Sequence, residues 1–312
     1  MGPQKNKIRN TGDTIFRLAA ASGAAALVLL MTALMVQLIR ASDLSLHRFG
    51  LAFLASNAWN PVTEDFGAAS SIFGTLESTA IAMLLALPIS LFIALFLAEL
   101  APPVISKPVG YAIELLAAIP SIIYGMWGLF VFAPFMADHV QPLLGKYLGF
   151  LPLFQGPPMG IGMLTAGIIL ALMILPFISA VMRDVFTMVP KVVKEAGYGI
   201  GSSTWEVTRH VTIPYGFTGM VGAAFLGLGR ALGETMAVTF VIGNTHAFSA
   251  SLFSAGNTIA STMANEFTEA SSPLYLSALV ELGLILFAIT LVIQILAQLW
   301  LKQIRGSIGV GI

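Results

Sequence analysis

The chain has 312 residues, 57% of them apolar and only 10% charged, with a formal net charge of zero. Soluble domains carry about a quarter charged residues, so a mean hydropathy of +0.90 excludes that class, and the balanced charge gives no argument for a nucleic-acid partner. Cysteine is absent, which rules out disulfides, thiolate metal sites and thiol catalysis without fixing a compartment.

A hydrocarbon core of about 30 Å takes about 20 apolar residues. Six stretches reach that length, near 16–39, 72–98, 109–136, 160–182, 217–242 and 274–300. The expected class is therefore an all-α integral membrane protein with six transmembrane helices. Residues 1–15 form a basic start that includes Lys5, Lys7 and Arg9, and Arg17 lies just inside the first segment. A signal peptide also begins this way, but its apolar region runs to only about 7–15 residues before a small-x-small cleavage site. Here the run ends Val36-Gln37-Leu38-Ile39-Arg40 with no such site, so 16–39 reads as a retained helix. The loop 40–71, with Trp59, Asn60-Pro61 and several acids, is too short for a large domain and is expected on the outer face. The outer loops 137–159 and 243–273 are similarly modest.

From 72 to 300 the chain reads as one membrane domain, a five-helix core to which the first helix is added. Glu77, followed by Ser78 and Thr79, opens the second segment and reads as a helix-start acid favoured by the dipole. Pro88 and Pro120 are expected to kink the second and third segments and free carbonyls there. Glu114 lies in the first turns of the third segment and Glu281 in the outer third of the sixth. Either could pair with Arg230 or with a neighbouring helix, and the sequence leaves the choice open. Lys107, Arg183, Lys191, Lys194, Arg209, Lys302 and Arg305 fall in the even-numbered connections and the tail 301–312. By the positive-inside rule both termini and the loop 183–216 are cytoplasmic.

That loop has a recognisable build. Pro190 suits the first turn of a helix through Val192 to about Tyr198, and Gly199 and Gly201 break it. Ser203 and Glu206 form a capping box for a second short helix, which Pro214 is expected to end. The frame Glu195-Ala196-Gly197, then Gly201, then Val211-Thr212-Ile213-Pro214 resembles the coupling loop of ABC-importer permeases, E-A-A-x3-G-x9-I-x-L-P. The spacing matches, with Gly197, Val211 and Ile213 as conservative departures. In that family the loop docks on a separate ATPase subunit, which assigns Glu195, Ala196, Gly197, Gly201 and Pro214 to ATPase coupling.

The fifth segment carries most of the buried polar content. Arg230 falls near mid-span, where a charge costs about 2.5–3.5 kcal/mol on insertion scales. Glu234, four residues on, is expected on the same helical face, and Gly229, Gly233 and Ala237 form an adjoining small-residue stripe of the kind that lets helices approach closely. Two readings of the charged pair stay open: a structural ion pair, or a lining of the substrate path in which the Arg230 fork suits a tetrahedral oxyanion and Glu234 holds it or acts as a gate. The run Leu228-Gly229-Arg230-Ala231-Leu232-Gly233-Glu234-Thr235-Met236-Ala237-Val238 is similar to the fifth-helix signature of the PstC family of phosphate-importer permeases. Ile119-Pro120-Ser121 with Tyr124-Gly125, and Asn257-Thr258-Ile259-Ala260, carry the same resemblance, which extends over nearly the whole chain.

The resemblance implies a type I ABC-importer permease of MetI-like fold in the bacterial inner membrane, with Arg230, Glu234 and Thr235 on the substrate path. It implies a PstA-like sister permease, two copies of a PstB-like ATPase that bind ATP and Mg, and an extracytoplasmic PstS-like phosphate-binding protein. The chain itself would need no cofactor and no metal. Sulfate and molybdate permeases share the fold and docking loop and form the nearest alternative. A secondary transporter would be expected to show repeat halves and broken helices near mid-membrane, and the sequence displays neither. The chain has no G-x-x-x-x-G-K-[ST], H-E-x-x-H or G-x-S-x-G, and His47, His139, His210 and His246 are isolated. Gly227-x-Gly229-x-x-x-Gly233 only imitates a dinucleotide fingerprint, with one residue too many. A membrane enzyme is the weaker class.

Overall fold

The computed structural model describes residues 11–308 and, within them, the side chains of residues 12–303. Lys5, Lys7 and Arg9, and the side chain of Arg305, lie outside the described residues. Six helical runs are long and apolar enough to cross a membrane: Gly12–Ala41, Ala69–Leu100, Ser121–Leu148, Met163–Thr187, Thr204–Leu232 and Pro273–Gln303. Helix α1 (Thr11–Ala41) leads into two short helices, α2 (Asp43–Phe49) and α3 (Ala52–Ala55), and a small antiparallel hairpin of β1 (Trp59–Asn60) and β2 (Asp65–Phe66). Then come α4 (Ala69–Leu95) and α5 (Pro103–Ala117). The third span is built from α6 (Ser121–Trp127), α7 (Ala133–Phe135) and α8 (Gln141–Leu148), joined by π-helical turns. The chain continues through α9 (Met163–Thr187), α10 (Lys191–Gly199), α11 (Thr204–Val207), α12 (Ile213–Leu232), α13 (Met236–Ile242), α14 (Ile259–Glu266) and α15 (Pro273–Ile308).

Helix α9 is the axis of the bundle: 67% of its apolar window is buried, against none for α1. What lets α4 lie against it is a row of small residues. Ser70, Gly74, Ser78, Ala82, Ala86, Ser90 and Ala94 recur at every fourth position, and all are buried. Residues four apart share a helix face, and in lipid, where apolar side chains gain nothing from leaving the solvent, close backbone approach is what makes association favourable. Gly167 of α9 completes the contact, since a Cβ there would press into Ile81. Ile169, Met173, Ile174 and Ile178 of α9 then fill the space toward Ala223 and Ala231 of α12 and Val238 and Val241 of α13. A second core at the hairpin end packs Phe53, Phe66 and Ile259 around Tyr275, Ala278 and Leu282 of α15.

Several sequence expectations change here. The third span runs Ser121–Leu148, not 109–136. Pro120 does not kink one helix but separates two, with α5 ending at Ala117 and α6 starting at Ser121. Proline disfavours helical backbone in the residue before it, and α5, with only Gly110 and Ile113 buried, is too short at about 1.5 Å per residue to cross about 30 Å. Pro214 likewise does not end the second loop helix, because a π-helical turn at Thr208–Thr212 carries the helix through it into α12. The same device occurs three times among the described residues: Ala133, Gln141 and Ile213 each precede a proline in a continuing helix and donate their amides to the carbonyls five residues back, of Gly128, Met136 and Thr208. The wider turn gives room for a residue that lacks an N–H and would clash in a regular helix. A like turn at Phe96–Leu100 instead closes the second span, and the chain leaves the helix at Ala101 before Pro102. Pro88 lies inside α4, which continues past it to Leu95. Glu77 lies two turns inside α4, which starts at Ala69, so it is not a helix-start acid.

The row of small residues gives a test. A Cβ on Gly74 would collide with the backbone carbonyl of Asn257, which cannot swing aside, whereas Gly222 of α12 faces open space. Gly74→Ala is expected to lower the monodisperse fraction in detergent severalfold and the melting temperature by several degrees, and Gly222→Ala to leave both unchanged. Size-exclusion chromatography with a thermal ramp measures the two together.

Candidate functional site

The loop between the fourth and fifth spans folds into a surface knob. Pro190 is the N-cap of α10, and the chain turns at Gly201, whose φ of +89° suits glycine. Ser203 then caps α11: its hydroxyl accepts from the Glu206 amide, and the Glu206 carboxylate accepts from the Ser203 amide at 2.8 Å. The capping box is thus present as the spacing predicts. Glu195, Ala196, Ile200 and Trp205 all face solvent, so the knob presents a mixed acidic and apolar surface, while Gly197 lets Val207 pack beneath it. A residue that sequence reasoning passed over anchors it. Glu99, at the end of the second span, accepts from Lys194 Nζ at 2.6 Å with its side chain 5% exposed, and Lys194 also donates to the Phe186 carbonyl. A buried pair of this kind is costly to break from one side. The only signal in the sequence was an acid closing an apolar run.

Arg183, one turn from the end of α9, donates to Glu114 of α5 at 2.6 Å and to Asp184 at 3.1 Å. This settles the partner of Glu114: it holds α5 to α9 and does not reach Arg230. Glu281 is buried, 3% exposed, with one carboxylate oxygen lacking a partner among the described residues, and it borders a groove lined by Leu46, Leu51, Ile72 and Leu284.

Within the fifth span the helix breaks. Helix α12 ends at Leu232, Gly233 to Thr235 leave the helical path, and α13 begins at Met236. The expected common face of Arg230 and Glu234, and the stripe through Gly229, Gly233 and Ala237, therefore do not form. Arg230 closes the last turn of α12, and its guanidinium carbon lies over the Phe177 ring, 5.4 Å from the centroid. Glu234 turns to the backbone instead, where its Oε1 accepts from the Ala237 amide at 3.1 Å. Thr235 closes the break, its carbonyl accepting from both the amide and the hydroxyl of Thr239. Among the described residues Arg230 has no carboxylate partner. Phe177 is the fifteenth residue of α9's 25, about 15 Å from the nearer end at about 1.5 Å per residue, which places Arg230 near mid-span in depth, with its side chain only partly buried in this chain. The packing row of α12 is the one through Ala223, Gly227 and Ala231, all buried. Nothing in the sequence marks the broken helix, because Gly-Glu-Thr is compatible with either conformation.

At the hairpin end Asn257, 2% exposed, joins α4 and α14 to its own loop: its Nδ2 shares its two hydrogens among Ser71 Oγ at 2.6 Å, Thr262 Oγ1 at 3.1 Å and His246 Nδ1 at 2.9 Å. His246 stacks on Trp59 with ring centroids 5.0 Å apart. Burial pushes its imidazole below the ordinary value, opposed by Glu266, and an accepting Nδ1 is consistent with the neutral ring.

The model of the family described as binding-protein-dependent transport system inner membrane component matches residues 86–306. A phosphate transport system permease protein PstC from Mesorhizobium japonicum is 53% identical over 301 residues, covering 95% of this chain and 92% of the relative. One from Pasteurella multocida is 54% identical, covering 95% and 94%. Among solved structures, a chain of a bacterial ABC transporter involved in the import of the acidic polysaccharide alginate superposes with a TM-score of 0.63 at 15% identity, over 94% of this chain and 98% of that one. This likeness carries the fold alone. With six spans, the inner-membrane family model and two relatives above half identity over nearly its full length, the chain is a multi-pass inner-membrane protein that belongs to the binding-protein-dependent transport system components and, within them, to the PstC family of permeases.

Proposed function

We propose that this chain is one of two permease subunits that form the path of an ATP-driven importer of inorganic phosphate. The observation that carries the reading is Arg230: a partly buried guanidinium near mid-span depth, beside a helix break and without a carboxylate partner among the described residues. A charge at that depth is expensive, and a neutralising carboxylate is absent from its surroundings among the described residues, so a mobile oxyanion is the natural partner. Guanidinium offers five N–H donors in a planar fork suited to phosphate oxygens. Glu234 and Thr235 shape the break that keeps this fork off the helix ladder. The phosphate named for the relatives supports the substrate.

In this reading the knob end, with both termini, faces the cytoplasm, in keeping with Arg183, Lys191, Lys194, Arg209 and Lys302 at that end. The knob docks, through Glu195, Ala196, Gly197, Gly201 and the segment up to Pro214, on a PstB-like ATPase dimer, which binds ATP and Mg. A PstA-like sister permease supplies the other half of the path, and a PstS-like protein delivers phosphate to the hairpin end. This chain then needs no cofactor of its own.

Two measurements test the reading in the complete importer reconstituted in proteoliposomes. Arg230→Gln should cut ATP-dependent uptake of labelled phosphate at least about tenfold, the loss expected of a charged hydrogen bond, with assembly intact. Adding Glu234→Gln should not restore it, because the two side chains do not pair; recovered uptake in the double variant would refute the path role. For the knob, Glu195→Lys and Gly201→Asp should leave the membrane-inserted amount unchanged while the ATPase no longer co-purifies and uptake falls to background. Normal ATPase recovery with both variants would remove the docking assignment.

A further inference from the structure

The guanidinium of Arg230 is placed by an aromatic ring, and this choice of partner has a chemical consequence. A carboxylate partner would occupy two of the five N–H donors with parallel bonds. A ring attracts the same cation through its quadrupole and uses none of them. Arg230 lies over Phe177 at 5.4 Å from the centroid, and Glu234, the nearest acid in sequence, is committed to the Ala237 amide. The site therefore holds a positive charge in place without satisfying its hydrogen-bonding capacity.

Phe177 is itself well fixed. It follows Pro176, which lies inside α9 and removes one bond from the helix ladder there. Ser90 of α4 reaches across and donates its hydroxyl to the Leu175 carbonyl at 3.1 Å. A buried serine from the small-residue row of α4 thus pins the turn of α9 that carries the ring. Pro176, Ser90 and the ring form one assembly that sets where the guanidinium sits.

We propose that Phe177 is a positioning residue for the oxyanion path: its ring face holds Arg230 in register while leaving the N–H fork free for the incoming anion. This rests on the reading of Arg230 as the path cation. A merely space-filling phenylalanine would tolerate any substitution that keeps its size, whereas a cation–π partner is sensitive to the charge on the ring face.

The test replaces Phe177 in the complete importer with a series of fluorinated phenylalanines carrying one, two, three and five fluorines, introduced by nonsense suppression. Fluorine drains the ring face while changing its volume little. The expected result is a graded rise in apparent KM for phosphate, reaching about tenfold at the pentafluoro ring, with assembly by size-exclusion chromatography unchanged throughout. Phe177→Trp, with the strongest ring face, should hold KM at or below the parent value, and Phe177→Leu should match the pentafluoro ring. A KM that stays flat along the series overturns the proposal. Arg230→Gln is measured alongside. If it abolishes uptake while the fluorine series is flat, the ring proposal alone fails. If it leaves uptake intact, the path reading and this proposal fail together.

Discussion

Inside a hydrocarbon layer every backbone N–H and C=O must find a partner within the protein, because no water is there to take its place. The departures from regular helix in this chain all answer to that constraint. Three prolines, Pro134, Pro142 and Pro214, sit just after π-helical turns in which the preceding amide reaches back to Gly128, Met136 or Thr208, so each is absorbed without ending its helix. The break after Leu232 is handled by side chains as well: Glu234 Oε1 takes the Ala237 amide, and the Thr235 carbonyl takes the Thr239 amide and hydroxyl. An acid at this depth makes sense as backbone repair, and it leaves Arg230 to be placed by other means.

The parts of the fold that depend on average hydropathy were legible in the sequence. Six spans and the short connections follow from run length alone, and the knob's Ser203–Glu206 box follows from a spacing rule with a mechanism behind it. The parts that depend on where a helix stops were not. Pro120 was expected as a kink because proline inside an apolar run can either bend a helix or end it, and the structure shows that it separates α5 from α6. Segment five looked continuous because Gly233, Glu234 and Thr235 carry no helix-stop signal stronger than one glycine. Once the break is placed, the i, i+4 argument for an Arg230–Glu234 pair loses its premise. Phe177 and Glu99 could not have been singled out, since their roles exist only through contacts with Arg230 and Lys194, far away in the chain.

The bundle is drawn closest where small residues meet. Ala82, Ala86 and Ala94 of the α4 row share a core with α9, and Gly74 of the same row lies against the Asn257 carbonyl, so overpacking along this seam is felt at once. At the knob end the seam gives way to two ion pairs, Lys194–Glu99 and Arg183–Glu114. These differ in kind. The first is nearly enclosed, so losing one partner strands a charge. The second has its carboxylate 48% exposed, where solvent screening leaves such a pair worth little. The knob is therefore tied firmly to the second span, and α5 only loosely to the fourth.

The knob is also continuous with the fifth span. The fifth span begins at Thr204 inside the knob and runs without interruption to Leu232, a stretch of 29 residues or about 43 Å at 1.5 Å per residue. Arg230 stands in its last turn. One helix thus carries both the capping box at the surface and the guanidinium at depth, and α9, which bears Phe177, packs along that same helix: a Cβ on Gly216 would meet Phe186, one on Gly219 Val185 and one on Gly227 Ile178. Arg230 and Phe177 therefore face each other across one packed seam, so the small residues that bring α12 close to α9 also set the distance between the guanidinium and its ring.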